Sequence, residues 1–252
     1  MASLSEGSQG KAKTASRLGW AGMVLGLAVL VPVAARPAWH PDGADFTLAG
    51  ATLGLSLTLT ALVTALWHRV LSGGRLGLAV RRGNLAAGVV AAGHAFGTCL
   101  VASHCFAADD LPSLWIGVTF FAVAEVSLVG LSLLFRGLTY YADDQEILGE
   151  NLAAAVSYTG VVVALSMIVG HAADGHFSGW LVALRSFGLC LPLALLLYPF
   201  RQIVIARLLL GYPLTFRGGV LDRAVAQDRN VAVSLIEALG YLAAAFLATG
   251  LS

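Results

Sequence analysis

Two stretches of the chain decide its fold: NLAAGVVAAGHAFGTCLVASHC at residues 84–105 and NLAAAVSYTGVVVALSMIVG at residues 151–170. Each opens with the same tetrapeptide and continues as an apolar run of about 20 residues, the length a helix needs to cross the hydrocarbon core of a membrane. A weaker copy, NVAV, opens the last apolar run at Asn230. Repetition at a fixed interval indicates an array of copied supersecondary units.

The copy extends well beyond these stretches. A fixed offset of 67 positions relates corresponding residues of the first two units, including Arg69 to Arg136, Asn84 to Asn151, and His104 to His171. Each unit reads as a helix running inward, an arginine at its inner end, a polar connection, an asparagine and a helix running outward. The third unit keeps Arg201 and Asn230 but separates them by 29 positions instead of 15, so it contains a 14-residue insertion.

Composition places the whole chain in a membrane. Apolar residues make up 58% and charged residues 12% of the 252 positions, and the mean hydropathy is +0.82, outside the range of soluble domains. The pattern predicts an all-α membrane protein, a seven-helix transmembrane bundle of one N-terminal helix plus three helical hairpin repeats. The predicted spans are Leu18–Ala35, Leu48–Leu71, Asn84–Cys105, Ser113–Phe135, Asn151–Gly170, Gly179–Phe200 and Asn230–Leu251.

The corresponding organisation is a tail over residues 1–17, a first helix over 18–35, and hairpin repeats over 48–105, 113–171 and 179–251, the last with the insertion. The first helix has two interpretations. Basic residues before it and small residues at its end also fit a cleaved secretory signal, but its length favours a retained helix.

The basic residues predict the orientation. Of the 15 lysines and arginines, 13 fall in the tail and in the connections on one side, while Arg36 lies on the other side and Arg185 lies within a span. Because basic loops are retained in the cytoplasm, we expect an inner-membrane protein with a cytoplasmic N-terminus and a periplasmic or extracellular C-terminus.

Several classes of function lack their signatures. The sequence has no CxxC or HExxH spacing, no Walker motif and no GxSxG motif. Three cysteines, Cys99, Cys105 and Cys190, read as small packing residues in helices. The net charge of +1 gives no nucleic-acid footprint. We therefore predict no enzyme, no cofactor and no nucleic-acid partner; the predicted environment is the lipid bilayer, and a protein partner cannot be named.

The repeated asparagines have a structural explanation. An asparagine oxygen accepts from the free amides of the first helical turn, which predicts Asn84, Asn151 and Asn230 as helix caps. Small residues four apart on the same helices, such as Gly93 and Gly97, favour close packing. These small-residue faces also predict self-association into a homo-oligomer.

A polar connection of the type LTxY (residues 138–141) leading into an NLAA helix, repeated in tandem, resembles the YjfL-like bacterial inner-membrane family, multi-pass proteins built from a duplicated domain of unknown function. The resemblance covers about residues 48–251 and is clearest between Arg136 and His171. The first unit departs from it at residues 72–74, SGG, and the third has Val231 and Val233 in the motif. The resemblance implies membrane location and repeat architecture but no catalytic residue.

Ionisable side chains within the spans are candidates for a polar path, since each costs about 2.5 to 3.5 kcal/mol at the membrane centre unless it is paired or hydrated. At about 1.5 Å per residue, the candidates lie at about 10 to 24 Å from the inner ends of their helices. His94 and Glu125 are level, and Arg185 is about 8 Å further out. We expect a path in which Glu125 and His94 exchange a proton. The alternative is that these residues are structural pairs. The candidates are Glu125, Arg185, His94 and Glu237.

Polar residues also gather at the predicted outer helix ends, where a metal site is one interpretation and ordinary solvated loops are the favoured one. We therefore predict no metal. The residues are His104, Cys105, Asp109, Asp110, His171, Asp174 and His176.

Two functions remain open from the sequence. The unrepeated charges and the internal repeats favour a channel or transporter for an ion or small solute. The lack of a substrate motif favours a non-catalytic scaffold or accessory subunit of a membrane stress or assembly system.

Overall fold

A computed structural model describes residues 2–39, 45–107, 109–174 and 177–250. Within these ranges the chain is helical, with a 3-10 turn at Arg36–Trp39 and a π-helical segment at Arg201–Leu209. The α-helices are α1 (Ala2–Ala34), α2 (Phe46–Ser72), α3 (Arg75–Arg81), α4 (Leu85–Cys105), α5 (Leu111–Leu138), α6 (Asp143–Leu148), α7 (Leu152–Ala172), α8 (Trp180–Leu195), α9 (Leu197–Phe200), α10 (Val220–Ala226) and α11 (Val231–Gly250).

Seven helices in the described ranges are long and apolar enough to cross a membrane. They are α1, α2, α4, α5, α7, α11 and the continuous run Trp180–Leu209, which joins α8, α9 and the π-helical segment. This result confirms the predicted all-α, seven-helix bundle. One boundary differs: α1 begins at Ala2, so the segment expected to be a tail continues the helix.

The helices form two layers. The outward-running helices pack side by side in the order α1, α4, α7, α11. The inward-running helices lie over the grooves between them: α2 contacts α1 and α4, α5 contacts α4 and α7, and the last inward run contacts α7 and α11. Consequently α4 and α7 are the most buried spans. We call the end of the bundle that carries Arg69, Arg136 and Arg201 the basic end, and the opposite end the outer end; inward and outward denote only the directions toward and away from the basic end.

Glycines set the spacing in the outward layer. A Cβ atom on Gly93 would lie 2.5 Å from Thr159, and one on Gly160 would lie 2.5 Å from Ala238. Both glycines stand nine residues after the asparagine of their own helix, and both contacted residues stand eight residues after the next asparagine. The same contact is therefore repeated, and the backbones approach as closely as small-residue packing allows.

Helix α1 belongs to this series although it carries no NLAA motif. A Cβ atom on its Gly22 would lie 2.3 Å from the Ala92 carbonyl oxygen, and Ala92 is the equivalent of Thr159 and Ala238. At the other end of the layer the series stops, because the position equivalent to Gly93 and Gly160 is Leu239, which is 63% exposed. The small faces thus pack within the chain, and self-association stays a prediction.

The three asparagines cap their helices through the same bond. The Asn84 side chain accepts from the Ala87 amide, Asn151 from Ala154, and Asn230 from Val233. The first two asparagines are buried and also reach the neighbouring unit. The Asn84 amide donates to the Ile147 carbonyl at 2.8 Å, and the Asn151 amide donates to the Val225 carbonyl at 3.0 Å. Asn230 is exposed.

The polar connections at the basic end are helical. The structure has α6 and α10 in the connections of the second and third units, and α3 in the connection of the first unit. The last carbonyls of α6 and α10 receive the asparagine amides, since the end of a short helix leaves them without partners in the helix. Asn84 and Asn151 therefore each bind the surface helix of the next unit through the side-chain amide, a contact that we call the clasp.

Candidate functional site

A line of buried hydroxyl groups runs along one face of α2. Thr52, Ser56, Thr60 and Thr64 are spaced four residues apart, which puts them on the same side of the helix. All four are buried against the bundle. The hydroxyls of Thr52, Thr60 and Thr64 have no hydrogen-bond partner among the residues that the structure describes, although buried polar groups are normally paired. We call these four residues the α2 stripe.

Glu125 of α5 lies buried beside the inner part of this face. Trp67, three residues after Thr64 and on the same face, donates from Nε1 to Glu125 Oε2 at 3.0 Å. The second carboxylate oxygen, Oε1, is buried without a partner in the described part of the chain. A carboxyl group with a free lone pair, in the middle of a membrane helix, marks an ion or proton pathway unless a structural pair explains it.

His94 continues the polar line from Glu125 toward the third helix of the outward layer. Its ring lies 4.8 Å from the Trp67 ring, between centroids. Its Nε2 atom lies 3.1 Å from the Tyr158 hydroxyl of α7, and its Nδ1 atom is buried with no hydrogen-bond partner in the described ranges. Glu125, Trp67, His94 and Tyr158 therefore form one connected group, as the level positions of Glu125 and His94 suggest.

Two small cavities connect this group to the basic end. Each has a volume of about 20 Å³, enough for a water molecule. Both are lined by Tyr158, Arg136 and Asp143. Asp143 is the first residue of α6 and lies buried 4.0 Å from Arg136, whose other nitrogen pairs with Asp144 at 3.3 Å. The polar line thus reaches the surface helix of the second unit.

Asp143 has an unusual affinity for protons. Burial, together with the nearby Glu237 carboxylate, raises the pKa of its carboxyl from 3.8 to about 7, against the opposing effect of Arg136. A group with such a pKa exchanges protons readily at neutral pH.

Glu237 belongs to a separate, paired network at the basic end. Arg201, buried where the π-helical segment begins, binds both Glu237 and Asp222, the latter at 2.6 Å. The Ser157 hydroxyl donates to the other Glu237 oxygen at 2.8 Å. Glu237 also lines the cavity that Tyr158 faces. Its carboxylate is therefore held by charge and hydrogen bonds, which fits the structural interpretation of this residue better than the path.

Arg201 and Asp222 repeat an arrangement of the second unit. Arg136 and Asp143 are 7 positions apart, while Arg201 and Asp222 are 21 apart, which is the same spacing once the 14-residue insertion is removed. The first unit has Leu76 at the equivalent position. The repeat thus supplies two arginine–aspartate pairs, one beside the cavities and one locked to Glu237.

The structure places Arg185 outside this site. It is exposed on α8, five residues after the helix begins at Trp180. Its estimated depth already put it near the outer surface, where a long arginine side chain carries its charge to the membrane interface. Arg185 therefore does not line the path with Glu125.

The outer histidines share one aspartate. His104 Nδ1 lies 2.8 Å from one Asp174 oxygen, and His171 Nδ1 lies 3.3 Å from the other. Among the residues with described positions, no group of three histidine, cysteine or acidic side chains is arranged to hold a metal. His176, part of the metal interpretation, lies outside the described residues.

Sequence reasoning missed the α2 stripe, Trp67 and the pairing role of Arg201. The stripe has a readable signal, a hydroxyl residue at every fourth position from 52 to 64. Threonine and serine are common in membrane helices, however, so their presence alone does not indicate a site. By sequence Arg201 belongs to the basic connections, and no sequence signal distinguishes a buried arginine at a helix end from an exposed one.

A family model described as Domain of Unknown Function, DUF350, matches residues 108–251, more than half of the chain. This match covers the second and third hairpin units. Neither a curated protein nor a solved structure matches the chain. The finer resemblance to YjfL-like proteins stays a prediction.

Proposed function

We propose that this chain, which belongs to the DUF350 family, is a membrane transporter or channel that carries a small cation across the bilayer by way of Glu125. In this proposal the basic end faces the cytoplasm of a bacterial inner membrane, as the distribution of arginines favours. Glu125 is the central group, and His94, Tyr158 and Asp143 form the branch toward the cytoplasm.

The observation that carries the proposal is the state of the Glu125 carboxyl. It is buried at the middle of α5, one oxygen accepts from Trp67, and the other oxygen has no described partner. A carboxyl group retained only for structure is expected to be paired on both sides, as Glu237 is. Glu125 instead keeps one oxygen available for a cation or a proton.

The route toward the basic end supports the same function. From Glu125 the polar groups follow one another through Trp67, His94 and Tyr158 to the cavities beside Asp143. Each cavity has room for about one water molecule. A large solute would require the helices to separate, so the geometry favours a small cation over an organic substrate.

Flux across vesicle membranes tests the proposal. Purified protein is reconstituted into vesicles, and entry of H⁺, Na⁺ and K⁺ is followed with trapped indicators under a membrane potential. We expect wild-type protein to carry one of these ions and Glu125→Gln to reduce the flux by about tenfold or more, since an amide cannot carry the compensating charge.

The matched control is Glu150→Gln, because Glu150 is an exposed glutamate outside the spans. We expect this variant to keep wild-type flux. Equal flux in wild-type and Glu125→Gln vesicles, with both proteins folded and inserted, would overturn the proposal.

A second candidate is a non-catalytic membrane scaffold or accessory subunit. The observation that favours it is the Arg201 network, in which the buried charges of Arg201, Asp222 and Glu237 are all paired and fix α10 to α11. Under this alternative no ion flux depends on Glu125. The vesicle measurement therefore separates the two functions.

A further inference from the structure

The outer half of the bundle contains a polar feature that no part of the route from Glu125 to the basic end uses. The α2 stripe begins at Thr52, six residues after α2 starts at Phe46, and continues to Thr64. Thr52, Ser56 and Thr60 are at most 1% exposed. All three side chains lie against the bundle, and the Ser56 hydroxyl donates to the Leu53 carbonyl of its own helix at 3.0 Å, which leaves its oxygen able to accept. Thr58 on the same helix is exposed and donates to the Gly54 carbonyl.

The stripe starts near the outer end and reaches the level of Glu125. The hydrogen bond between Trp67 and Glu125 fixes where α2 and α5 meet, because Trp67 lies three residues beyond Thr64 on the same face of α2. The Glu125 carboxyl therefore lies beside the inner end of the stripe, and Thr60, Ser56 and Thr52 follow at intervals of about 6 Å toward the outer end.

The spacing of the stripe suits water. Hydroxyls four residues apart on a helix are separated by about 6 Å along its axis, which is close to two hydrogen-bond lengths of about 2.8 Å. One water molecule between each successive pair can accept from one hydroxyl and donate to the next. Such waters would also supply the missing partners of Thr52 and Thr60, which otherwise leave buried polar atoms unsatisfied.

We propose that the α2 stripe binds a single file of water that joins Glu125 to the outer surface, and that the cation carried is the proton. This inference rests on the proposed function. It assigns the part of the path between Glu125 and the outer surface, and it names the transported cation. A proton enters the file at one end, each water passes on one proton as it receives another, and the Glu125 carboxyl takes up and releases one proton per passage.

The ligands present favour the proton over a divalent metal ion. A calcium ion takes six to eight oxygen ligands and magnesium demands an octahedron, whereas each described level of the stripe offers one hydroxyl and Glu125 offers one free oxygen. The file needs no such shell, because each water requires only two to four polar partners. Asp143, which lines both cavities on the other side of Glu125, is also a group that exchanges protons.

Isosteric replacement of the hydroxyls tests the water file. The double variant Thr52→Val with Thr60→Val removes two hydroxyls and keeps the side-chain shape. Thr58→Val, on the exposed face of the same helix, is the matched control. Thr60→Ser keeps a hydroxyl and tests whether the hydroxyl itself is required. Proton, Na⁺ and K⁺ fluxes are measured in vesicles, and thermal unfolding in detergent verifies that each variant folds.

We expect the double variant to lower the proton flux by about tenfold or more, since valine side chains do not hold water. Thr58→Val and Thr60→Ser should keep the wild-type flux. If the hydroxyls are dry, their removal raises the unfolding temperature and leaves the flux unchanged. That result would overturn the water file and leave the proposed function standing, as would a Glu125-dependent flux carried by Na⁺ or K⁺. Absence of any Glu125-dependent flux would overturn the proposed function itself.

Discussion

Asp143 and Asp222 stand at equivalent positions of the repeat but differ in how closely they pair with an arginine. Asp222 lies 2.6 Å from Arg201, in a network that also holds Glu237. Asp143 lies 4.0 Å from Arg136 and lines both cavities. The looser pair of Asp143 with Arg136 does not offset the effect of burial, which raises the pKa of the Asp143 carboxyl. The same residue type therefore serves structure in one unit and is suited to proton exchange in the other.

The Asp143 carboxyl makes stability depend on pH. Its pKa is about 7 in the folded protein against 3.8 in a solvated chain, so the folded state binds the proton more tightly. The stability that Asp143 contributes is complete below about pH 4 and is lost as the pH rises through about 7. We expect the unfolding temperature of the wild type in detergent to fall more between pH 5 and pH 8 than that of Asp143→Asn.

The control for this measurement is Asp144→Asn, which removes the neighbouring, more exposed partner of Arg136. This variant should keep the wild-type dependence on pH. If the wild type and Asp143→Asn lose stability in parallel between pH 5 and pH 8, Asp143 does not titrate in this range.

The sequence predicts individual residues of the site to different extents. Glu125 and His94 can be placed at one level because helix rise is constant. Their link through Trp67 cannot, because it depends on which face α2 turns toward α5. Arg185 shows the same limit from the other side: its depth follows from counting, but its exposure follows from the packing of α8.

At the scale of the helix, one asparagine performs two tasks. Asn151 caps α7 through its oxygen and clasps α10 through its amide. The cap is predictable because asparagine before an apolar run has a local explanation. The clasp joins residues 74 positions apart, and no local pattern contains it.

Asn151→Ser separates the two tasks, because serine caps a helix about as well as asparagine but cannot reach the α10 carbonyls. We expect the free energy of unfolding to fall by about 1 to 3 kcal/mol, since the Val225 and Ala226 carbonyls lose their buried donor. The measurement is equilibrium unfolding in mixed micelles.

Asn230→Ser is the matched control, since Asn230 is exposed and its recorded side-chain bond is the cap to Val233. Its effect should stay within a few tenths of a kcal/mol. Equal losses at positions 151 and 230 would mean that the clasp contributes nothing.

At the scale of the whole molecule, α1 is the first member of the outward layer. Its Gly22 and Gly26 contact Ala92 and Cys99 of α4, in the register with which Gly93 and Gly97 contact Thr159 and Ser166 of α7. The NLAA motif does not reveal this membership, because α1 continues into the basic end without an asparagine cap. Removal of α1 as a signal would expose the face of α4 that carries Gly88, Ala92 and Cys99, so we expect the mature protein to retain it.

Glycine replacements within α1 test this role. Gly22→Ala places a methyl group 2.3 Å from the Ala92 carbonyl oxygen, so it should destabilise the protein by about 1 to 3 kcal/mol through overpacking. Gly19→Ala, one turn earlier, meets Ala91 at an ordinary 3.8 Å and should be neutral or stabilising, since alanine favours helices. Thermal unfolding of the two variants in detergent makes the comparison. Indistinguishable unfolding temperatures would show that α1 is not packed in register.

Leu239 has a consequence for the copy number of this architecture. Two glycines at its equivalent positions each admit a further helix, whereas the leucine side chain occupies the space that such a helix would need. Duplication of a hairpin is therefore accommodated before α11 but not after it unless this residue also changes. The last outward helix therefore carries a bulky side chain at the position where α4 and α7 carry the glycine that admits a neighbouring helix.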